Sequence, residues 1–328
     1  MKTEILTVLR ETDGYVSGQE LCDRFGVSRT AVWKVINGLK EEGYAIASLP
    51  RKGYRLEGAP DIVSESELLS RLETRWLGRR VVFFEQTDST NTQAKRLAEE
   101  GAPEGTLVVA DMQTAGKGRR GRSWQQAPGT MVSMTFLLKP EFAPDRASML
   151  TLLAAHSVAG AIEAVTGLSA AIKWPNDIVI NGKKTVGILT EMSLSVEQDS
   201  IHYVVVGIGI NVNIREFPEE IKDVATSLYL ESGSQVNRTC LIGEVMKRFE
   251  ADYEQFIALE NLTGILEDYN AHLVSMNREV RVLDPKGEFQ GISRGMNQNG
   301  ELLVEKEDGS VVCVYAGEVS VRGLYGYV

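Results

Sequence analysis

Gly116-Lys117-Gly118-Arg119-Arg120-Gly121-Arg122, followed by Ser123 and Trp124, places three glycines and four cations in seven residues without one apolar side chain. A strand-like run at 106–110 precedes it, and a second at 131–138 follows beyond the Pro128-Gly129 turn. Such a stretch has no apolar face to bury, its glycines make ordering costly in entropy, and its cations repel one another. An anion that gathers the guanidinium and backbone N–H groups relieves these costs, so the chemistry it suits is capture of a phosphate or carboxylate by a loop that closes over it. A solvated basic turn and a nucleic-acid patch are the alternatives.

Two nucleotide motifs are excluded. Gly116 and Gly121 have the first spacing of a P-loop, but Arg122 stands where that loop needs lysine, and the following 124–129 is a poor helix start. Gly207-Ile208-Gly209-Ile210-Asn211-Val212 begins like a dinucleotide fingerprint, yet Val212 takes the third glycine's place and no helix follows.

With 328 residues, 43% apolar and 24% charged, the chain is an ordinary globular sequence long enough for two or three domains. No signal peptide is legible, and no apolar run reads as long enough to span a bilayer. Cys22, Cys240 and Cys313 are far apart, and only three histidines occur, so neither a zinc spacing nor a Cys–His nucleophile is legible. A reducing cytoplasm is expected, with no membrane partner and no metal held by protein side chains. The net charge is −10, but between 24 and 55 seven Lys/Arg face only Glu41 and Glu42, a local balance of +5. One small part of an acidic protein carries a basic footprint.

Helices are expected at 4–11, at 18–25 behind a Ser17–Glu20 capping box, and at 29–42 behind Ser28, with Val32, Ile36 and Leu39 inward. Hairpin strands follow at 44–48 and 53–56. This is a winged helix-turn-helix whose Arg29, Thr30, Lys34 and Asn37, with Arg51 and Lys52 on the wing, are candidates for DNA contact. A trihelical protein-binding module is the alternative. After a linker at 57–60 come a helix at 64–74, a strand at 81–84, and a helix beginning at Asp88-Ser89-Thr90-Asn91. Those short polar residues are caps or a ligand-binding corner. A buried apolar helix is expected at 148–166, with His156 packed rather than catalytic. Strands at 171–176, 178–181, 184–192 and 201–213, turning at Asn181-Gly182, must be antiparallel. Further helices are expected at 240–260 and 262–271. The large domain is therefore α+β, with helices against one face of a mixed or antiparallel sheet. From 277 on, strands at 279–283, 289–296, 302–305 and 311–315 describe a small barrel of SH3-like size, with turns at 285–287, 297–300 and 308–309. The units are 1–58, 64–275 and 276–328.

The basic stretch and Trp124, then Lys173-Trp174-Pro175-Asn176-Asp177, Lys184-Thr185-Val186-Gly187-Ile188-Leu189 and Gly207-Ile208-Gly209-Ile210-Asn211, closely resemble the bacterial biotin–protein ligases. The winged N-terminus resembles the bifunctional subgroup that also represses the biotin operon. Lys117 departs from the arginine usual in that family, which keeps the charge but loses the planar fork.

The resemblance implies a class II synthetase-like ligase domain. It would activate biotin with ATP to biotinyl-5'-AMP, release pyrophosphate, and biotinylate a lysine of a carboxyl carrier domain. Ser89, Thr90, Asn91 and Gln113 would hold the biotin ring, with Lys184 on the carboxylate or phosphate. A carboxylate attacking the α-phosphate brings two anions together, which Lys117, Arg119, Arg120 and Arg122 can neutralise while Trp124 helps keep water from the mixed anhydride. Gly116, Gly118 and Asn211 belong to the same lining, and Gly187 and Gly207 let strand backbone approach the ligand. Lys184 and Arg119 are the candidates for forming and retaining the adenylate. Asp177 is the candidate base for transfer, or only fixes its turn. Magnesium would ride on the ATP phosphates. Operator DNA and a homodimer formed when the adenylate is bound are the further partners. A metabolite-sensing repressor without enzymatic activity and a lipoate–protein ligase are the rival readings.

Overall fold

The computed structural model describes residues 1–118, 123–124, 127–195, 200–284, 287–315 and 320–323. In the head, helices α1 (Lys2–Glu11), α2 (Gly18–Phe25) and α3 (Arg29–Glu41) enclose a core of their own around Leu6, Leu21, Val32, Ile36 and Leu39. Ser17 and Ser28 accept from the N–H groups of Glu20 and Ala31, satisfying one orphan donor at each helix start. The wing is the antiparallel pair β1 (Ala45–Leu49) and β2 (Gly53–Gly58), and Val16 and Tyr54 exchange two backbone bonds of 2.8 Å. Gly53 makes that docking possible, because a Cβ there would lie 1.9 Å from the Val16 carbonyl oxygen.

The linker ends on ion pairs. Asp61 accepts from the backbone N–H and the Nε of buried Arg238, whose Nη1 reaches Asp111 at 2.5 Å. Ser64 caps α4 (Glu65–Leu69), which stops well short of the predicted 64–74. On it Glu67, fully buried, accepts from Arg10 of α1 through both oxygens at 2.6 Å, from Tyr44 at 2.6 Å and from Arg71 at 2.7 Å. This carboxylate joins head to body.

The central sheet comprises β3 (Val81–Thr87), β4 (Leu107–Gln113), β7 (Met131–Leu138), β8 (Ala171–Lys173), β9 (Asp177–Ile180), β10 (Lys183–Ser195) and β11 (Ser200–Asn211). Between β4 and β7 lies a separate short pair, β5 (Gly116–Lys117) and β6 (Ser123–Trp124). Across the sheet the order is β3-β4-β7-β11-β10-β9-β8. Among the described strand pairs only β3 and β4 are parallel, and α5 (Thr90–Glu99) supplies the crossover that such a pair requires.

Helices α6 (Met149–Thr166) and α8 (Arg238–Leu259) cover one face, with Phe136 and Phe249 rings 4.4 Å apart. The expectation of helices on one face only is corrected. α5 packs Ala94 and Ala98 on Val108, Leu137 and Val205, which alternate with the residues facing α6 and α8. Pro144–Thr166 is long and apolar enough to cross a membrane by length and composition alone, and 61% of its most apolar window is buried inside the fold, as in the core helix the sequence predicts. α7 (Leu228–Ser232) and α9 (Leu266–His272) complete this unit.

His156 of α6 is clamped rather than merely packed. Its Nδ1 lies 2.8 Å from Asp252 on α8 and its Nε2 lies 2.9 Å from Asp268 on α9. Burial pushes its pKa down, but the two carboxylates outweigh this and raise it above 6.5. His272, bonded to the Asp268 carbonyl and to Glu163, is raised in the same way. A raised folded-state pKa means stability fully present below the ordinary value and lost as pH rises through the folded value. Melting temperature is therefore expected to fall as pH climbs above 6.5, and His156→Gln/His272→Gln should flatten that slope. An unchanged pH dependence in the double variant would remove the two clamps as its source.

The C-terminal unit is an antiparallel sheet of β12 (Glu279–Leu283), β13 (Phe289–Met296), β14 (Leu302–Glu305), β15 (Val311–Val314) and β16 (Ser320–Gly323), ordered β15-β14-β13-β12-β16. β16 was not foreseen from the sequence, and part of the predicted turn at 285–287 lies outside the described residues. Val280, Val282, Leu302 and Val304 join the same apolar cluster as the central sheet, whereas the head does not. The head is thus held by polar contacts, the C-terminal sheet by shared core.

Candidate functional site

The polar corner forms where the first turn of α5 meets the middle of the sheet. Ser89 is the N-cap residue but makes no side-chain cap bond; Asp88 accepts instead from the Ser89 N–H at 2.6 Å and from Gln93 at 2.9 Å. Gln113 Oε1 accepts from the Thr90 N–H at 2.7 Å and from its hydroxyl at 3.1 Å, and Gln113 Nε2 donates to Ser133. Thr135 lies 2.8 Å from the Thr90 hydroxyl and donates to Asn91 Oδ1 at 2.7 Å. Asn91 Nδ2 donates to the Leu189 carbonyl and to Glu191, which also pairs with Lys95 at 2.8 Å. Burial raises the Glu191 pKa, but the bonds from Lys95 and Asn91, helped by the charge of Lys117, hold it below the ordinary value. Thr90, Asn91 and Gln113 are thus brought together. Ser133, Thr135, Lys95 and Glu191 are additions. For Ser133 and Thr135 the signal was their polar alternation within an otherwise apolar strand.

Small residues line this face of the sheet. Gly187, Gly207 and Gly209 alternate with Val186, Ile188, Val206 and Ile208, which face the opposite core. At Gly207 the space is taken by protein, since an added Cβ would stand 2.0 Å from Asn91 Oδ1. Gly207→Ala should displace that amide from Thr135 and Glu191. The expected cost is about 1–3 kcal/mol of stability. Thermal melting measures it, and an unchanged melting temperature would contradict the steric argument.

Lys184 and Asp177 face each other across neighbouring strands, Nζ to Oδ1 at 2.6 Å, and Asn176 donates to the same oxygen at 3.2 Å. The Lys184 backbone bonds to Val224 and Thr226, and buried Asn211 donates to the Thr226 carbonyl at 2.9 Å. Asn211 therefore braces the 224–226 segment that pins the Lys184 backbone. Gly187 pairs with Asp177 and with Gly209, placing the lysine's strand against the glycine floor.

The basic stretch begins beside α5, where the N–H groups of Thr114 and Ala115 donate to the carbonyls of Thr87 and Asp88. Its ends pair, Gly116 with Trp124 and Lys117 with Ser123, so what reads as an uninterrupted loop starts and finishes as a two-stranded ladder. Arg119, Arg120, Gly121 and Arg122 lie outside the described residues, as does the side chain of Trp124. In the head, Arg29, Thr30 and Lys34 are exposed and Asn37 half-buried on α3, with Arg51 and Lys52 exposed at the wing tip.

Residues 83–211 match the biotin/lipoate A/B protein ligase family, 2–55 an HTH domain, and 276–322 the biotin protein ligase C-terminal domain. Over 309 residues, 94% of each chain, the sequence is 41% identical to the bifunctional ligase/repressor BirA of Bacillus subtilis. The chain belongs to the biotin–protein ligase family. A second relative, the bifunctional ligase/repressor BirA of Escherichia coli, is 29% identical over 97% of this chain and 96% of that one. Among solved structures, the biotin protein ligase of Aquifex aeolicus in complex with biotin and ATP aligns with a TM-score of 0.65 and 34% identity, covering 75% of this chain and 99% of that one. For a family member, the corner at Thr90–Asn91, the Lys184–Asp177 pair and the start of the basic stretch all lie within the ligase match.

Proposed function

We propose that biotin is activated between the first turn of α5 and the glycine floor of the sheet. The chain is an ATP-dependent biotin–protein ligase and a transcriptional repressor, its substrates biotin and ATP. The observation that carries this is the end-to-end match to a bifunctional ligase/repressor by a chain whose winged head and polar corner are both built. The working units are a DNA-binding head at 1–58, a catalytic unit at 64–275 and a C-terminal unit at 276–328.

Thr90, Asn91, Gln113 and Ser89 offer the donors and acceptors for the biotin ring. The biotin carboxylate attacks the ATP α-phosphate; the new C–O–P bond forms as the bond to pyrophosphate breaks. Lys184 neutralises the anions that meet there, joined by the charges of Lys117, Arg119, Arg120 and Arg122. Magnesium carried by the ATP phosphates supplies further charge neutralisation. Lys184 drawn onto the phosphate leaves Asp177, which then accepts the proton of the acceptor lysine. That amine attacks the anhydride carbonyl, and AMP departs.

Incubation with biotin, ATP and a biotin carboxyl carrier domain should release pyrophosphate and leave the carrier biotinylated on one lysine. Absence of both products would sink the ligase reading. A single helix-turn-helix makes few base contacts, so repression uses two heads set at fixed spacing by a homodimer. Sedimentation should show adenylate-bound protein shifted toward dimer, with DNA affinity rising in parallel. Deleting 1–56 should abolish DNA binding yet leave ligase activity, because the head has a separate core. Tighter DNA binding without any change of assembly state would overturn the dimer mechanism.

A further inference from the structure

We infer that Trp33 reads thymine methyl groups in the major groove of the operator; this rests on the reading that the head binds duplex DNA. Trp33 sits mid-way along α3 and is 55% exposed, whereas Trp174 is buried in the core and Trp76 packs against it. Helix α3 buries Val32, Ile36 and Leu39. Trp33 projects from another side, one turn after Arg29 and one turn before Asn37. Leaving a large indole in water forgoes apolar burial, so its face calls for a partner.

The surroundings say which partner. Arg29, Lys34, Arg51 and Lys52 are all exposed on this head, and the rest of the chain is acidic enough to bring the total to −10. Gln19 Oε1 accepts from Arg29 Nε at 3.2 Å and Nη2 at 2.8 Å, holding that guanidinium beside the helix start. An apolar ring among positioned cations is complementary to a polyanion that also displays an apolar group. In the major groove of DNA that group is the C5-methyl of thymine, which no other base carries. Phosphates meet the cations, and the indole meets the methyl. A second copy of the protein, equally basic here, would be repelled.

The test uses the full-length protein with biotin and ATP. A random duplex library is selected for tight binding, and each thymine of the recovered sequence is replaced singly by uracil, which removes only the methyl. Wild-type affinity should fall about fourfold at one or two symmetry-related positions, the value of one methyl-sized contact. Trp33→Ala should bind more weakly and be indifferent to uracil there, while Trp33→Phe keeps part of the sensitivity. Equal uracil sensitivity in wild type and Trp33→Ala would assign the methyl to another residue and overturn the inference. So would unaltered affinity in Trp33→Ala, or a change in assembly state in place of a change in DNA contact. Failure of the wild type to enrich any sequence would instead refute the repressor reading itself, and this inference with it.

Discussion

Replacing Lys184 with alanine should lower the rate of biotinyl-adenylate formation by about 10²–10³-fold, the usual loss for one charged stabiliser of a developing anion. The proposed role fits the lysine's surroundings. Its backbone is pinned on both sides by the segment at 224–226, and its ammonium is aimed by Asp177 at 2.6 Å beside the glycine floor. Both side chains retain some solvent contact, so loss of the pair should cost only about 1 kcal/mol of stability. Pyrophosphate exchange separates the two effects, because it reports the first half-reaction alone. Lys184→Arg should recover part of the rate, since charge is restored on a bulkier, planar head. A variant that melts far below wild type, or one that exchanges pyrophosphate at the normal rate, would make the residue structural or dispensable.

Glu67→Ala should be among the most destabilising single substitutions in the body of the protein, at about 3–5 kcal/mol, because it strands two guanidinium groups and a phenol at a junction they share. Burial pushes the Glu67 pKa up, but the Tyr44 hydroxyl, Arg10 and Arg71 overcome that and hold it below its ordinary 4.5. A depressed carboxylate contributes stability that is present above the unfolded value and lost as pH falls through the folded one. Wild type should therefore lose this contribution below about pH 4.5, and Glu67→Ala should have none to lose there. A glutamyl endopeptidase should also cut after Glu57, in the 57–60 linker, faster in the variant, as the head comes loose from α4. Ligase activity surviving while the DNA response to biotin disappears would show that the same carboxylate transmits the signal between the units. Equal acid sensitivity in both proteins would place the pH dependence elsewhere.

Both experiments turn on groups that differ in how far they were legible. The helix starts were local matters. Ser17 and Ser28 satisfy N–H groups three residues away, and Asn181-Gly182, with φ of 49° and 77°, supplies a turn that those residue types adopt most cheaply. Such features depend on neighbours in the chain, so residue order alone determines them. Thr90 and Asn91 were legible as a polar helix start, and Lys184 and Asp177 each sit in a run that carries the family resemblance, but the bond between those two is set by the pairing of β9 with β10.

Other features were decided only when distant segments met. β3 and β4 look like any strands, and their parallel pairing exists because α5 crosses over and buries Ala94 and Ala98 on a second face. Ser320–Gly323 is too short to announce itself and becomes a strand by pairing with β12. Glu67 reads as one more acid in a capped helix, yet Arg10, 57 residues earlier, makes it a buried hub. Glu191 and Lys95, nearly a hundred residues apart, meet only because α5 lies across β10. Asn211 resembles a ligand contact and serves as a brace, because the segment at 224–226 returns beside it. In each case the partner is fixed by packing across long loops, whose closure leaves no periodicity for the sequence to display.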